Sequence, residues 1–239
     1  MLFNLFEAFA TGDMDIIKIS LASLLLSLPI FVLALTVHEV AHGYVAAKLG
    51  DPTAKNLGRL TLNPFKHLDP LGFICMLFAG VGWAKPVPIN TRYFRKPRRD
   101  MAICAAAGPI ANILLGLLFG VLLRLFDLLL GLVPSLIASE SALLAAYLII
   151  TLLTTGMELN VMLALFNLIP VPSLDGSRIL YMFLSQKALM FMLRYEQYIS
   201  MGFLLLLIFE RRLPFAPIHF YLNSLTDLIV GLFRLILFF

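Results

Sequence analysis

The chain has 239 residues, enough for one membrane domain or one to two soluble ones. Hydrophobic residues make up 61% of it, charged residues only 13%, and mean hydropathy is +0.95; a soluble fold this apolar could not cover itself with polar side chains, so lipid is its expected solvent. The formal net charge is +4, and ten of the 18 Lys and Arg lie between Lys48 and Arg99, flanked by apolar segments, which marks the cytoplasmic side of a membrane protein and gives no reason to expect a nucleic-acid partner.

In chain order, the first ten residues are apolar but lack a basic leading region, and Glu7 interrupts them, so a short interfacial helix is expected in place of a cleaved signal. A first helix is expected over residues 19–50, its apolar run leading straight into His38-Glu39-Val40-Ala41-His42 and ending at Gly50-Asp51-Pro52. Residues 51–99 are basic and carry six prolines. Their apolar stretch, Leu71 to Ala84, has 14 residues against the roughly 20 a spanning helix needs. If it spanned, the ten cations would divide between the two sides; a re-entrant segment with β-hairpin character keeps them together. A second helix is expected over 101–126, where Gly108, Gly116 and Gly120 make a small-residue face for close packing. A third runs over 139–185, broken by Asn167-Leu168-Ile169-Pro170-Val171-Pro172 and followed by Ser173-Leu174-Asp175-Gly176. C-terminal helices fill 187–239, with a break at Arg211, Arg212, Pro214 and Pro217; residues 222–239 could span or lie in the interface. Cys75 and Cys104 form no paired motif and read as two free apolar thiols. The expected fold is therefore mainly α: a single polytopic membrane domain over 1–239 with about four to six transmembrane or membrane-embedded helices.

The chemistry concentrates in H-E-x-x-H. Positions i and i+4 of a helix lie about 40° apart around the axis, so His38 and His42 point to one side and can grip one Zn²⁺. Glu39 can then serve as general base toward a water. Ionisable residues inside a membrane are costly, which favours a functional reading over two incidental histidines. A catalytic zinc needs a third protein ligand. Asp175 stands in a bent, Gly-flanked segment suited to presenting a side chain, although it could equally be the N-cap of a following short helix; His67 and His219 are the competing candidates.

The pairing of His38-Glu39-Val40-Ala41-His42 with the segment from Asn167 to Gly176 resembles the site-2 proteases. So do Gly108-Pro109-Ile110-Ala111-Asn112 and the stretch from Gly50-Asp51-Pro52-Thr53 to Asn63-Pro64. The resemblance covers roughly residues 20–185 and implies Asp175 as the third ligand of one catalytic Zn²⁺. It associates Asn167 and Asn112 with the active site, as donors to substrate or oxyanion. Asn-Pro often opens the second motif in that family, where this chain has Asn167-Leu168. No PDZ-like or CBS-like insertion is seen.

The expected activity is hydrolysis of peptide bonds in or near the transmembrane helix of a membrane-protein substrate. The enzyme is expected to be multi-pass in the cell membrane, with its active site nearer the cytoplasmic side. A zinc transporter is the alternative, but further His, Asp or Glu along several helices would be expected of one, and they are scarce here. A non-catalytic membrane scaffold is a third reading, against which the intact Glu39 argues. The substrate's identity and the oligomeric state have no signature in the sequence.

Overall fold

The computed structural model describes residues 12–79, 82–210 and 216–238. The interfacial helix expected over the first ten residues, and Arg211, Arg212 and Pro214 of the expected break, lie outside them. Among the described residues the helices are α1 (Met14–Lys48), α2 (Thr53–Asn56), α3 (Pro70–Ala79), α4 (Pro97–Leu132), α5 (Glu140–Asn167), α6 (Asp175–Tyr181), α7 (Gln186–Glu210) and α8 (Pro217–Phe238). Short 3-10 turns stand at Pro64–Lys66, Thr91–Tyr93 and Pro134–Ile137.

Five of these helices, α1, α4, α5, α7 and α8, are long and apolar enough to cross a membrane. The chain is an integral, multi-pass membrane protein. Large apolar side chains such as Leu25, Leu114, Leu144 and Leu205 stand exposed along these helices, as expected of surfaces solvated by lipid. At 35 and 36 residues, α1 and α4 are about 50 Å long, well beyond a hydrocarbon core of about 30 Å.

Helix α4 is the hub, packing against α1, α5, α6 and α8. It starts earlier than its apolar run suggests, because Pro97 occupies the first turn, where its missing N–H is no loss. The core between α4, α5 and α8 is Phe119, Leu153, Met157, Val161 and Val230. Close approach there depends on small residues: a Cβ on Gly116 would come 3.2 Å from the Met157 carbonyl oxygen, and one on Gly156 would meet the Phe119 ring at 2.5 Å. Helix α7 stands at the edge. Polar contacts tie it to α6 and to the segment before it: Arg178 Nη2 to Glu196 Oε1 at 2.8 Å, and Ser200 Oγ donating to the Pro172 carbonyl at 3.0 Å.

The segment between α1 and α4 returns to the end of the bundle from which it leaves. Ala46 near the end of α1, Phe94 just before α4 and Cys104 in α4 share one buried cluster. Asp51, fully buried, accepts from the backbone N–H of Thr53 at 3.0 Å and of Asn90 at 2.6 Å, tying the segment's first residues to its last. Of the expected β-hairpin, a single antiparallel bridge is present among the described residues, Leu68 with Ala84, extended by the Lys85 N–H donating to the His67 carbonyl at 2.8 Å. The ladder goes no further because α3 takes up Pro70–Ala79 on one arm, while Pro86 and Pro88 lack donors on the other. At ten residues α3 is too short to span.

Candidate metal centre

Three elements deliver the site. Helix α1 carries His38, Glu39 and His42, all buried. The bent segment 168–174 carries the chain from α5 to Asp175, the first residue of α6. Ser173 makes that bend with φ of +77°, a left-handed conformation costly for a side chain other than Gly or Asn. Gly176 is required by close approach: a Cβ there would lie 2.2 Å from the Leu168 carbonyl oxygen and 2.5 Å from its carbon. Helix α4 forms the wall.

The Nε2 atoms of His38 and His42 lie 3.0 and 3.2 Å from the same oxygen, Asp175 Oδ2. The two rings stand edge-on, with centroids 4.6 Å apart and planes at 85°. Hydrogen bonding on the far side of each ring decides what these atoms are. His38 Nδ1 sits 2.9 Å from Asn112 Oδ1, and His42 Nδ1 sits 2.7 Å from the Cys104 carbonyl oxygen. Both partners are acceptors, so each Nδ1 donates and each ring turns its Nε2, the nitrogen left for a metal, inward. Three ligand atoms thus converge, the two Nε2 atoms both facing Asp175 Oδ2. A metal ion placed between them would take all three as ligands. Four ligands at about 2.0–2.1 Å around Zn²⁺ stand about 3.3 Å apart along the tetrahedral edges, close to the two separations found. His38, His42 and Asp175 therefore fit a zinc ion, and they are the metal-competent cluster among the described residues.

Gly108 of α4 faces this cluster directly. A Cβ there would lie 2.5 Å from His42 Nε2 and 2.6 Å from His38 Nε2. The sequence shows the glycine as one of a small-residue face, but only the fold shows that it clears the space in front of the two histidines.

The remaining candidates fall as follows. Glu39 Oε2 accepts from the Val87 N–H at 2.7 Å, which leaves the other carboxylate oxygen free of that bond. Asn112 lies fully buried behind His38, and its NH2 donates to Asn160 Oδ1 at 3.2 Å and toward the Ala34 carbonyl at 3.4 Å. Asn167 lines the cavity, where its NH2 donates to the Leu163 carbonyl at 2.9 Å. His67 turns back on its own segment, Nε2 against the Thr61 carbonyl at 2.8 Å, and takes no part in the cluster. His219 lines the cavity's far wall, 3.4 Å from Glu210 Oε2. Leu174, which caps α6, makes no side-chain cap, and Asp175 is turned to the histidines. Cys104 lends its carbonyl to the site, while its thiol is buried and unpaired.

In front of the cluster lies a cavity of about 760 Å³, walled by α1, α4, α5, α7, α8 and the extended segment around Ala84–Ile89. Its lining is mostly apolar; His38, Glu39, His42, Asn167, Asp175 and Arg178 are among its polar groups.

A membrane bundle whose first long helix brings H-E-x-x-H against an aspartate from a later Leu-Asp-Gly turn carries the donor set of a metallopeptidase. The chain belongs to Peptidase family M50, the site-2 protease family, whose model matches residues 26–209. Two relatives carry the printed name "Putative zinc metalloprotease": YwhC of Bacillus subtilis (strain 168) and Rip2 of Mycolicibacterium smegmatis (strain ATCC 700084 / mc(2)155). The chain is 45% identical to YwhC over 157 residues, covering 62% of this chain and 64% of YwhC. It is 33% identical to Rip2 over 102 residues, covering 40% of this chain and 39% of Rip2. The match thus spans less than two thirds of either relative. No solved structure matches the chain significantly.

Proposed function

We propose that this protein is an intramembrane zinc endopeptidase that hydrolyses peptide bonds within or near the transmembrane segments of membrane-protein substrates. The observation that carries the reading is the convergence of three metal-ligating side chains, beside the Glu39 carboxylate, on a cavity walled by apolar helices. His38, His42 and Asp175 would hold the zinc, which when bound acidifies water and polarises a carbonyl.

Glu39 moves the proton. It takes one from the attacking water as the new O–C bond forms, then delivers it to the amine as the C–N bond breaks. The Val87 N–H holds one carboxylate oxygen and so fixes the direction of the other. A substrate helix hides its carbonyls in its own hydrogen bonds and must unwind to be cut. The extended segment from Ala84 to Ile89 and the bent segment before Asp175 both line the cavity and offer backbone to pair with the unwound strand. Asn167 is placed to donate to that strand. Asn112, with its donor already used, serves to position His38.

The active site is taken to lie nearer the cytoplasmic side. The basic segment leaves and rejoins the bundle at one end, and the positive-inside rule assigns that end to the cytoplasm. His38 stands ten residues before Lys48, about 15 Å along the helix from that end.

The test compares Glu39→Gln with Asp175→Asn in purified protein, measuring zinc content and cleavage of a transmembrane substrate. Glu39→Gln should retain zinc and lose cleavage on the order of 10²–10⁴-fold. Asp175→Asn should lose both. Near-normal cleavage by Glu39→Gln would refute the mechanism, and zinc flux into vesicles without cleavage by the unmutated protein would establish a transporter instead.

A further inference from the structure

We infer that Asn160 of α5 is a positioning residue for the metal centre: through Asn112 it fixes which tautomer His38 presents to the metal. The inference rests on the zinc reading above and adds to it a residue that touches neither metal nor substrate.

A side-chain amide can sit in two orientations that differ in shape hardly at all. For Asn112 the two have opposite consequences. With its oxygen toward His38 Nδ1, as found at 2.9 Å, the imidazole proton is drawn to Nδ1, and Nε2 is the nitrogen left for a metal. With its NH2 turned there, Nδ1 would have to accept, the proton would move to Nε2, and the ring would present a hydrogen where a metal ligand is needed. His38 cannot make this choice itself, because imidazole takes either tautomer.

The choice is made on the far side of Asn112. Its NH2 meets two acceptors, Asn160 Oδ1 at 3.2 Å and the Ala34 carbonyl at 3.4 Å. Turning the amide over would set its oxygen against both. The Ala34 contact is long, so Asn160 is the stronger determinant. Asn160 is itself an amide and could turn over too, but its NH2 donates to the Gly156 carbonyl, one turn earlier in α5, at 2.8 Å. That backbone carbonyl cannot become a donor. Direction therefore runs one way, from Gly156 O through Asn160 and Asn112 to His38. Asn112 and Asn160 are fully buried, so no water reaches the relay to scramble it. His42 needs no such relay, because its Nδ1 meets the Cys104 carbonyl directly. The two histidines of one motif thus have their tautomers set by different means, and only His38 depends on α5.

The experiment measures Zn²⁺ affinity of the detergent-solubilised full chain by competition with a chelator, for the unmutated protein, His42→Ala, Asn160→Leu, Asn160→Asp, Asn112→Leu and the double variant Asn112→Leu/Asn160→Leu. Asn160→Leu keeps bulk but removes the acceptor, and should weaken zinc binding about tenfold, at the lower end of the 10–100-fold typical of groups that orient metal ligands. Asn160→Asp, taken up as the neutral acid, can accept from Asn112 and donate to the Gly156 carbonyl, and should restore affinity to within about threefold of the unmutated protein. Because Asn160 acts only through Asn112, the double variant should bind no more weakly than Asn112→Leu alone. A second readout needs no metal: imidazole ¹⁵N shifts of zinc-free protein should show His38 protonated at Nδ1 in the unmutated chain and divided between tautomers in Asn160→Leu. Unchanged tautomer and affinity in Asn160→Leu, or additive losses in the double variant, would overturn the inference. Failure of the zinc reading is a separate result, in which the unmutated protein and His42→Ala bind zinc equally weakly.

Discussion

Adding one methyl group to Gly108 is expected to cost this protein its metal. The Cβ of Gly108→Ala would fall 2.5 Å from His42 Nε2 and from His38 Cε1, and 2.6 Å from His38 Nε2, whereas ordinary van der Waals contact begins near 3.4 Å. The shortfall is about 0.9 Å. Neither ring can retreat freely, since their Nδ1 atoms are held at 2.9 Å by Asn112 and 2.7 Å by Cys104. Metal–ligand distances tolerate errors of about 0.2 Å, so a displacement several times larger breaks the coordination geometry. Zinc affinity should fall at least about 100-fold, at or beyond the upper end of what displacing a supporting group costs. Stability of the metal-free chain should fall by about 1–3 kcal/mol, the usual range for overpacking.

The assay is chelator competition together with thermal unfolding in detergent, on Gly108→Ala and three controls. Gly131, Gly202 and Gly231 are helical and have nothing within 4 Å of the added methyl. There the same substitution should leave zinc affinity unchanged and raise stability by about 0.5–1 kcal/mol through helix propensity. Wild-type zinc affinity in Gly108→Ala would refute the placement of α4 against the histidines. Equal losses in the controls would show the effect to be a general one of glycine replacement.

Gly176→Ala should lower zinc content and destabilise the fold by about 2–3 kcal/mol, because the added carbon meets Leu168 backbone at 2.2 Å; unfolding and metal analysis read both, and a neutral outcome would mean the turn is drawn wrongly. Ser173→Gly should be tolerated or mildly stabilising and Ser173→Val destabilising by about 1–2 kcal/mol, in keeping with the φ of +77° at that residue; thermal unfolding of the pair decides. Cysteines placed at Lys55 and Arg95, in a background without Cys75, should be labelled by an impermeant reagent from the same membrane face, and labelling from opposite faces would overturn the one-sided placement of the basic segment.

How much of this could be read in advance depended on distance along the chain. His38, Glu39 and His42 were legible because a helical period of 3.6 puts the two histidines on one side without help from any other element. The spans were legible because lipid imposes a length, though α4 proved longer than its apolar run, since Pro97 can open a helix well before hydrophobicity rises. Asp175 was different. Nothing local separated a ligand from an N-cap, and only resemblance to a family implied a ligand; the structure turns Asp175 to the two histidines. Of the supports, Asn112 came into view only through that resemblance, and as a donor to substrate or oxyanion, while Cys104 and Val87 had no signal: Asn112 lies 74 residues from His38, Cys104 lies 62 from His42, and Val87 lies 48 from Glu39. No local period connects such positions, and hydrogen bonds to backbone carbonyls and N–H groups leave no trace in residue type.

The chemistry of those supports follows from where the site sits. Many zinc sites hold their histidines with carboxylates, yet here each Nδ1 is held by an uncharged oxygen, one amide and one peptide carbonyl. With zinc bound as proposed, a dication would face two imidazoles and the two carboxyl groups of Asp175 and Glu39, whose formal charges sum to zero with it. A carboxylate in place of Asn112 would orient His38 as well, but it would leave one net negative charge among apolar helices, where unpaired charge is expensive. An amide supplies the same acceptor without the charge. Its cost is that an amide can turn over, whereas a carboxylate presents an oxygen either way. The substitution of amide for carboxylate behind His38 therefore creates the need for a second residue to hold that amide, and Asn160 stands where the need arises, with its own orientation fixed by a helix carbonyl.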